Sequence, residues 1–202
     1  MANTPTPPMD RRDEILDQAF RLVGESGLAS LTMRKVAERV GFTETAAYRY
    51  FPHKQALLLG MAEKLRHTLL EPIKAIAASQ GTTAERLQRI LRHHVDFVLE
   101  RQGLPILLIA EAASTGDRQL ITQLGGIIDE YVTALAELIS ERPQGAGNAG
   151  PRELALLLMG IPAGLAIRTR IRPDYDLEQR VVTTLIPAVV RFVVGDDDGA
   201  TP

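Results

Sequence analysis

Residues 31–61 read LTMRKVAERVGFTETAAYRYFPHKQALLLGM, and this stretch decides the fold of the chain's first part. Two short helical patterns flank Gly41, and Thr32 and Thr43 can cap them, since a threonine hydroxyl accepts a hydrogen bond from a free N–H at a helix start. Apolar residues of the first pattern repeat at the spacing of one helix face: Met33, Val36, Ala37 and Val40. Pro52 ends the second pattern. A sharp turn at a glycine between two short helices predicts a helix-turn-helix.

The second of these helices carries the polar groups that a base-reading helix needs, because it would lie in the major groove of DNA. Arg49 can donate two hydrogen bonds to guanine, and Glu44 can accept one from a cytosine amine. Thr45 and Ala46 can meet a thymine methyl group. Side chains suited to phosphate oxygens stand around them: Thr32, Tyr48, Tyr50 and Lys54. The alternative is a packing helix pair with an incidental polar face.

The same run resembles the DNA-binding domain of the TetR family of transcriptional regulators. The resemblance covers residues 10–60 and rests on Thr32, Val36-Ala37, Gly41, Tyr48-Arg49-Tyr50-Phe51, Lys54 and Leu57. It implies ten DNA-facing positions: Thr32, Arg34, Thr43, Glu44, Thr45, Ala46, Tyr48, Arg49, Tyr50 and Lys54. Many members have glycine or proline where this chain has Thr45-Ala46-Ala47, so the operator sequence is not implied.

Charge and composition bound the remaining possibilities. The chain has 202 residues, 45% hydrophobic and 24% charged, with a net charge of −2 and no cysteine. Residues 30–54 carry five basic and two acidic side chains, so this segment is +3 and the remainder is −5. A basic segment on an acidic body suits a local polyanion site, or simply a solvated basic face. With no stretch approaching about 18 uninterrupted apolar residues and no signal-like start, we expect a soluble, cytoplasmic protein without a membrane span.

Helical periodicity dominates the whole chain and predicts an all-α protein, with a three-helix DNA-binding head and a larger helical bundle. We expect a disordered arm at 1–9, the helix-turn-helix domain at 10–52, an effector-binding and dimerisation domain at 53–195 and a disordered tail at 196–202. Helices are predicted at 10–25, 32–40, 43–51, 53–78, 83–102, 104–113, 118–141, 152–170 and 177–194. The segment 143–151 is a flexible loop by composition.

Two segments of the body, 104–113 and 154–167, are apolar on nearly every side. A helix of this kind is buried all round, in a core, in a cavity wall or in a subunit interface. Since TetR-like proteins are dimers, the resemblance favours a two-fold interface of four helices over a monomer core. The expected interface residues are Leu157, Ile161, Leu165, Ile186, Val189, Val190 and Val193.

The resemblance also implies a small, apolar effector bound inside the body. We expect the pocket residues to be His94, Phe97, Val98, Ile109, Glu111, Ile128 and Tyr131. His94 lies on the apolar stripe of its helix, either as a core histidine bonded to a backbone carbonyl or as a ligand contact. Glu111 is costly to bury unpaired, so it should cap a pocket or pair with a cation.

The function implied by the resemblance is a ligand-responsive regulator, a repressor by default, that binds a palindromic operator in double-stranded DNA as a homodimer and is released by its effector. Two other classes remain open. One is an all-helical enzyme, although the sequence shows no nucleophile elbow, phosphate loop or zinc-binding helix, and we expect no catalytic residues, cofactor or metal site. The other is a DNA-binding scaffold without an effector, whose body serves only to dimerise.

Overall fold

The structure, a computed structural model, describes residues 11–141 and 149–195, and every regular element within them is a helix. The all-α prediction is therefore confirmed. The head consists of α1 (Arg11–Ser26), α2 (Met33–Val40) and α3 (Glu44–Tyr50), with a single 3₁₀ turn at Leu28–Ser30. The predicted arm at 1–9, the tail at 196–202 and most of the predicted loop at 143–151 lie outside the described residues.

Local side-chain chemistry sets where the head helices begin. Thr32, Thr43 and His53 each accept a hydrogen bond, at 3.0–3.2 Å, from the backbone N–H three residues further along. These bonds satisfy N–H groups that have no partner within the helix. Gly41 has a φ of +77°, in the left-handed region that glycine adopts without strain, and it ends α2. The turn between α2 and α3 thus follows from the residues that the sequence offers there.

The helix α4 (Lys54–Leu65) joins the head to the body, which is built from helices that pack around α8 and α9. In chain order the body helices are α5 (Glu71–Ala77), α6 (Thr83–Glu100), α7 (Leu104–Thr115), α8 (Arg118–Ser140), α9 (Pro151–Ile171), α10 (Tyr175–Arg180) and α11 (Ile186–Val194). Two π-helical turns, Arg66–Leu70 and Val181–Leu185, join α4 to α5 and α10 to α11. The sequence predicted each of these pairs as one uninterrupted helix.

One apolar core runs from the head into the body, and α4 carries it across. Phe20 and Phe51 fill the head, while Leu57 and Met61 of α4 are fully buried between head and body. A Cβ added to Gly60 would lie 2.7 Å from Cε1 of Phe51, so α4 approaches the head as closely as a glycine allows. Motion of α4 relative to the body must therefore carry the head with it.

The helix α9 is strongly apolar. An 18-residue window of α9 has a mean hydropathy of 1.5, so by length and composition this helix is apolar enough to cross a membrane. Its uninterrupted apolar run is bounded by Glu153 and Arg168, and is therefore shorter than the run of about 18 residues that the sequence was expected to lack. One such helix is weak support for a membrane span, since core helices of globular proteins pass the same test. Only 33% of the window is buried within this chain, so α9 presents an apolar face to its surroundings.

Candidate DNA interface and effector cavity

The ten predicted DNA-facing residues are accessible in the structure. Nine of them are exposed, and Ala46 is half-buried. Ala47, which is fully buried, fixes the rotation of α3 about its axis. Because a helix turns about 100° per residue, burying Ala47 directs Glu44, Thr45, Tyr48 and Arg49 away from the core. The structure thus brings the predicted base-reading residues onto one face of α3, where a partner can reach them.

Three of the five basic side chains in segment 30–54 are held by carboxylates. Arg34 Nε donates to Glu38 at 2.9 Å, and Arg39 reaches Glu25 on α1 at 2.5 Å. Lys54 Nζ lies 3.1 Å from Oε1 of Glu111, a residue of the body. Arg49 has no acidic partner among the described residues, so its guanidinium is available to a base edge without breaking an ion pair.

The capping threonines keep a hydrogen-bond donor for DNA. In Thr32 and Thr43 the hydroxyl oxygen accepts from a backbone N–H, which leaves the hydroxyl proton free to donate. Both hydroxyls stand at helix N-termini, where the positive end of the helix dipole favours an anion. His53 caps α4 in the same way with its Nδ1, a role that the sequence did not reveal. These positions suit phosphate oxygens, which orient a protein on the duplex.

A small apolar cavity of about 90 Å³ lies inside the body, between α4, the π-helical turn after it, α6, α7, α8 and α9. Its lining includes Leu65, Leu69, His94, Val98, Pro105, Ile106, Ile109, Leu124, Ile127, Ile128, Tyr131, Met159 and Ala163. Five of the seven predicted pocket residues line it: His94, Val98, Ile109, Ile128 and Tyr131. Ile109, which is 37% exposed, stands at its outer edge on α7.

Two predicted pocket residues lie elsewhere. Phe97 is buried in the core and does not line the cavity, because on α6 it is turned about 100° from its neighbour Val98. Glu111 lies at the junction with the head, where it pairs with Lys54. The expectation that Glu111 would find a cation was sound, but its partner is a lysine of α4. Glu111 thus belongs to the joint between head and body and not to the cavity.

The polar groups of the cavity are a buried pair. Nδ1 of His94 lies 3.0 Å from the hydroxyl oxygen of Tyr131, and both residues are buried. The predicted alternative of a bond from His94 to a backbone carbonyl is therefore wrong. Burial, which strips the charged imidazolium of its hydration, and to a smaller extent the neighbouring His93 together lower the pKa of His94 to about 3. Burial likewise raises the pKa of Tyr131, so both groups are neutral near pH 7.

Polar contacts fasten the head to the body at two places that sequence patterns did not reveal. Beside the pair of Lys54 and Glu111, Gln55 donates to Asp117 and Gln119 at 3.2 Å. On the other side, Arg170 of α9 donates to the carbonyl oxygens of Gly24 at 2.6 Å and Gln102 at 3.2 Å. These contacts join residues 57 to 146 positions apart, which no local spacing predicts.

The apolar face of α9 and α11 corrects the predicted interface. Leu165, Ile186, Val190 and Val193 are buried in the core of this chain, so they are not available to a partner. Of the other predicted residues, Leu157 is exposed and Ile161 and Val189 are half-buried. Leu156, Leu185 and Phe192, which the apolar pattern of the last two helices also included, are exposed. Ile167 and Ile171 are exposed on α9 as well, and the predicted interface did not include them. A Cβ at Gly160 or Gly164 on this face would meet nothing within 4 Å.

Within the described parts of the chain, no group of three or more histidine, aspartate or glutamate side chains is placed to hold a metal ion.

Comparison with known proteins agrees with this geometry. Residues 15–61 match the sequence profile of the family described as bacterial regulatory proteins, tetR family. A curated relative, the nucleoid occlusion factor SlmA of Vibrio vulnificus, is 28% identical over 173 residues, which cover 84% of this chain and 88% of the relative. A TetR-family transcriptional regulator of Streptomyces coelicolor has the same fold, with a TM-score of 0.73 at 16% identity over 91% of this chain and 95% of its own.

The fold is also that of FadR from Bacillus subtilis, whose structure was solved in complex with stearoyl-CoA. The TM-score is 0.69 at 18% identity, covering 91% of this chain and 97% of FadR. These matches extend over nearly the full length of both chains, so head and body occur together in the same arrangement.

Proposed function

We propose that the chain is a repressor of the TetR family of transcriptional regulators, whose sequence profile residues 15–61 match. It binds a palindromic operator as a homodimer in the cytoplasm and is released by a small, largely apolar effector. The observation that carries the proposal is the exposed face of α3, on which Arg49 stands without an ion-pair partner among the described residues.

The operator is tested with DNA that flanks the protein's own gene. We expect the purified protein to prefer this DNA over random duplex, and Arg49→Ala to lose about 1–3 kcal/mol of that preference, the value of a bidentate contact with guanine. Arg180→Ala is the matched control, because Arg180 is exposed on α10, far along the chain from the head. Measurement by fluorescence anisotropy at two salt concentrations separates base reading from phosphate attraction. Equal affinity of the unmutated protein for both DNAs would contradict the proposal.

Dimerisation is supported by the exposed apolar face of α9 and α11. Contact of this face with water is unfavourable, and a second copy of the chain would cover it. Ile171 is 80% exposed, Phe192 61% and Leu157 50%. Several large exposed apolar side chains on two helices are typical of a surface that contacts another protein. In a two-fold dimer the same face meets itself, so two copies of each helix form a four-helix interface. The glycines of α9 allow the two copies to approach closely.

We expect the cavity to couple an effector to the head, and its lining residues support this. Leu65 and Leu69 of its wall belong to the end of α4 and to the π-helical turn, and Ile106 and Ile109 belong to α7. A ligand that widens the cavity would move α4 against α7, and α4 carries the head. In a dimer the two recognition helices must stand about 34 Å apart, one turn of DNA. A ligand that binds the moved state more tightly weakens operator binding by that difference in affinity.

A second candidate is favoured by the curated relatives, which are named nucleoid occlusion factors. In that case the chain binds the chromosome without an effector, and the body only dimerises. Mapping of the bound sites along the chromosome distinguishes the two. A few sites beside particular genes would support the repressor, whereas sites spread over large parts of the chromosome would support nucleoid occlusion.

A further inference from the structure

We propose that the cavity takes a small, neutral molecule that has an apolar body and one hydroxyl or carbonyl oxygen, which the His94–Tyr131 pair recognises. This inference rests on the proposed function, since it names the chemical class of the effector. The chemistry of the cavity wall carries it: eleven of the thirteen residues named above are apolar, and the two others are bonded to each other.

The pair is built to satisfy one additional oxygen. A neutral imidazole and a phenol together carry two polar hydrogens, and one is used in the bond between Nδ1 of His94 and the hydroxyl of Tyr131. The other hydrogen therefore stays on Nε2 or on the hydroxyl, whichever tautomer is present. Among the described residues Nε2 of His94 makes no hydrogen bond. Nε2 and the Tyr131 hydroxyl lie on opposite sides of the imidazole ring, so one ligand oxygen can bond to only one of them. Each of the two is a donor in one tautomer and an acceptor in the other, so a ligand hydroxyl suits both tautomers, whereas a carbonyl suits only the tautomer that presents a hydrogen.

Charged ligands are disfavoured because the wall holds no countercharge. Neither lysine nor arginine lines the cavity. His94 cannot supply a positive charge near pH 7, since burial keeps its imidazole neutral. A carboxylate would lose its hydration there without compensation, and the cost of burying an unpaired charge is large.

The size of the cavity limits the apolar body. Its volume is about 90 Å³, and a cavity of about 150 Å³ is known to hold benzene in a protein interior. The molecule therefore has a single ring or a short chain, and ring-sized molecules require Ile109 at the edge to move outward. A long acyl chain, such as that of the stearoyl-CoA in the FadR complex, does not fit without a much larger rearrangement.

Three probes of similar size test the inference: phenol, benzene and benzoate, titrated into the full-length protein without DNA. We expect phenol to bind about tenfold more tightly than benzene, the value of one net hydrogen bond, and benzoate to bind more weakly than either. Calorimetry or NMR chemical shifts give the affinities. Benzene binding as tightly as phenol, or benzoate binding most tightly, would overturn the inference, as would no binding of phenol up to millimolar concentration.

Variants locate the recognition on the pair. Tyr131→Phe keeps the ring and removes the hydroxyl, so it should reduce the preference for phenol over benzene severalfold. Val98→Ala is the matched control, because it enlarges the same cavity and should improve the binding of both probes without changing their ratio. An unchanged ratio in Tyr131→Phe would overturn the inference. If phenol binds selectively but the protein stays bound to its operator, the inference about the cavity stands. In that case the proposed release by an effector is refuted.

Discussion

Replacing Glu111 by glutamine should strengthen DNA binding, because Glu111 competes with DNA for Lys54. In the free protein Lys54 Nζ lies 3.1 Å from the carboxylate of Glu111. The same ammonium group stands at the start of α4, where we expect it to contact a phosphate. Each time the protein binds its operator, the contact with Glu111 has to weaken. Glutamine has nearly the same shape but no charge, so Glu111→Gln removes this competition with little change in packing.

The expected magnitude follows from the exposure of the pair. The Lys54 side chain is 43% exposed and that of Glu111 is 21%, so water screens their attraction. Pairs of this kind contribute about 0.2–1 kcal/mol, which corresponds to a rise in operator affinity of about 1.5-fold to fivefold. If Lys54 gains a phosphate contact, the slope of log affinity against log salt concentration should also steepen, by at most about 0.9.

The assay is fluorescence anisotropy with operator DNA over a range of salt concentrations, for Glu111→Gln, Lys54→Ala and the double variant. The double variant decides the cause, because a cycle of this kind isolates the interaction between the two residues. If the gain passes through Lys54, Glu111→Gln should have no effect in the Lys54→Ala background. An equal gain in both backgrounds would refute the reasoning, since it would show a general effect of the protein's charge.

Three further results are expected. Leu157→Asp should convert the dimer to monomers in light scattering after gel filtration, whereas Ile121→Asp, equally exposed but on α8, should not; a monomeric unmutated protein would contradict the proposed interface. Gly60→Ala should lower the free energy of unfolding, measured in urea, by about 1 kcal/mol, because the cost of overpacking, about 1–3 kcal/mol, exceeds the gain in helix propensity. Gly125→Ala is the control, since its added Cβ meets nothing within 4 Å. This variant should raise the free energy of unfolding by about 0.5–1 kcal/mol. His94 has a pKa of about 3 when folded against 6.5 as its ordinary value, so below pH 6.5 the unfolded chain binds the additional proton. Stability should therefore fall by about 2 kcal/mol from pH 7 to pH 5, and urea unfolding of His94→Gln should lack this part of the loss.

Much of the head was accessible from the sequence because its determinants are local. The caps at Thr32 and Thr43 act on N–H groups three residues away, and Gly41 meets a backbone requirement at its own position. The helical period then assigns Ala47 to the core and Arg49 to the surface. Each of these relations joins residues only a few positions apart, so it can be predicted from the sequence.

The residues that line the cavity could be predicted from the sequence only in part. The apolar stripe of α6 placed His94 and Val98 together, and both line the cavity. Tyr131 comes from another helix, and only packing brings its hydroxyl within 3.0 Å of His94. Phe97 and Glu111 were misplaced, because an apolar segment does not show which of its sides faces a cavity and which faces another helix.

The sequence by itself determined an all-helical chain with a helix-turn-helix head, since capping, glycine conformation and helical period are properties of neighbouring residues. Tertiary structure decided the division of the apolar body into core, cavity wall and exposed face. In α9 nearly every position is apolar, so the sequence pattern does not show which side of the helix faces the core. In the structure Leu165 is buried in the core and Leu157 is exposed. Tertiary structure also paired Lys54 with Glu111 across 57 residues, because the packing of α4 against α7 brings together charges that no spacing along the chain relates.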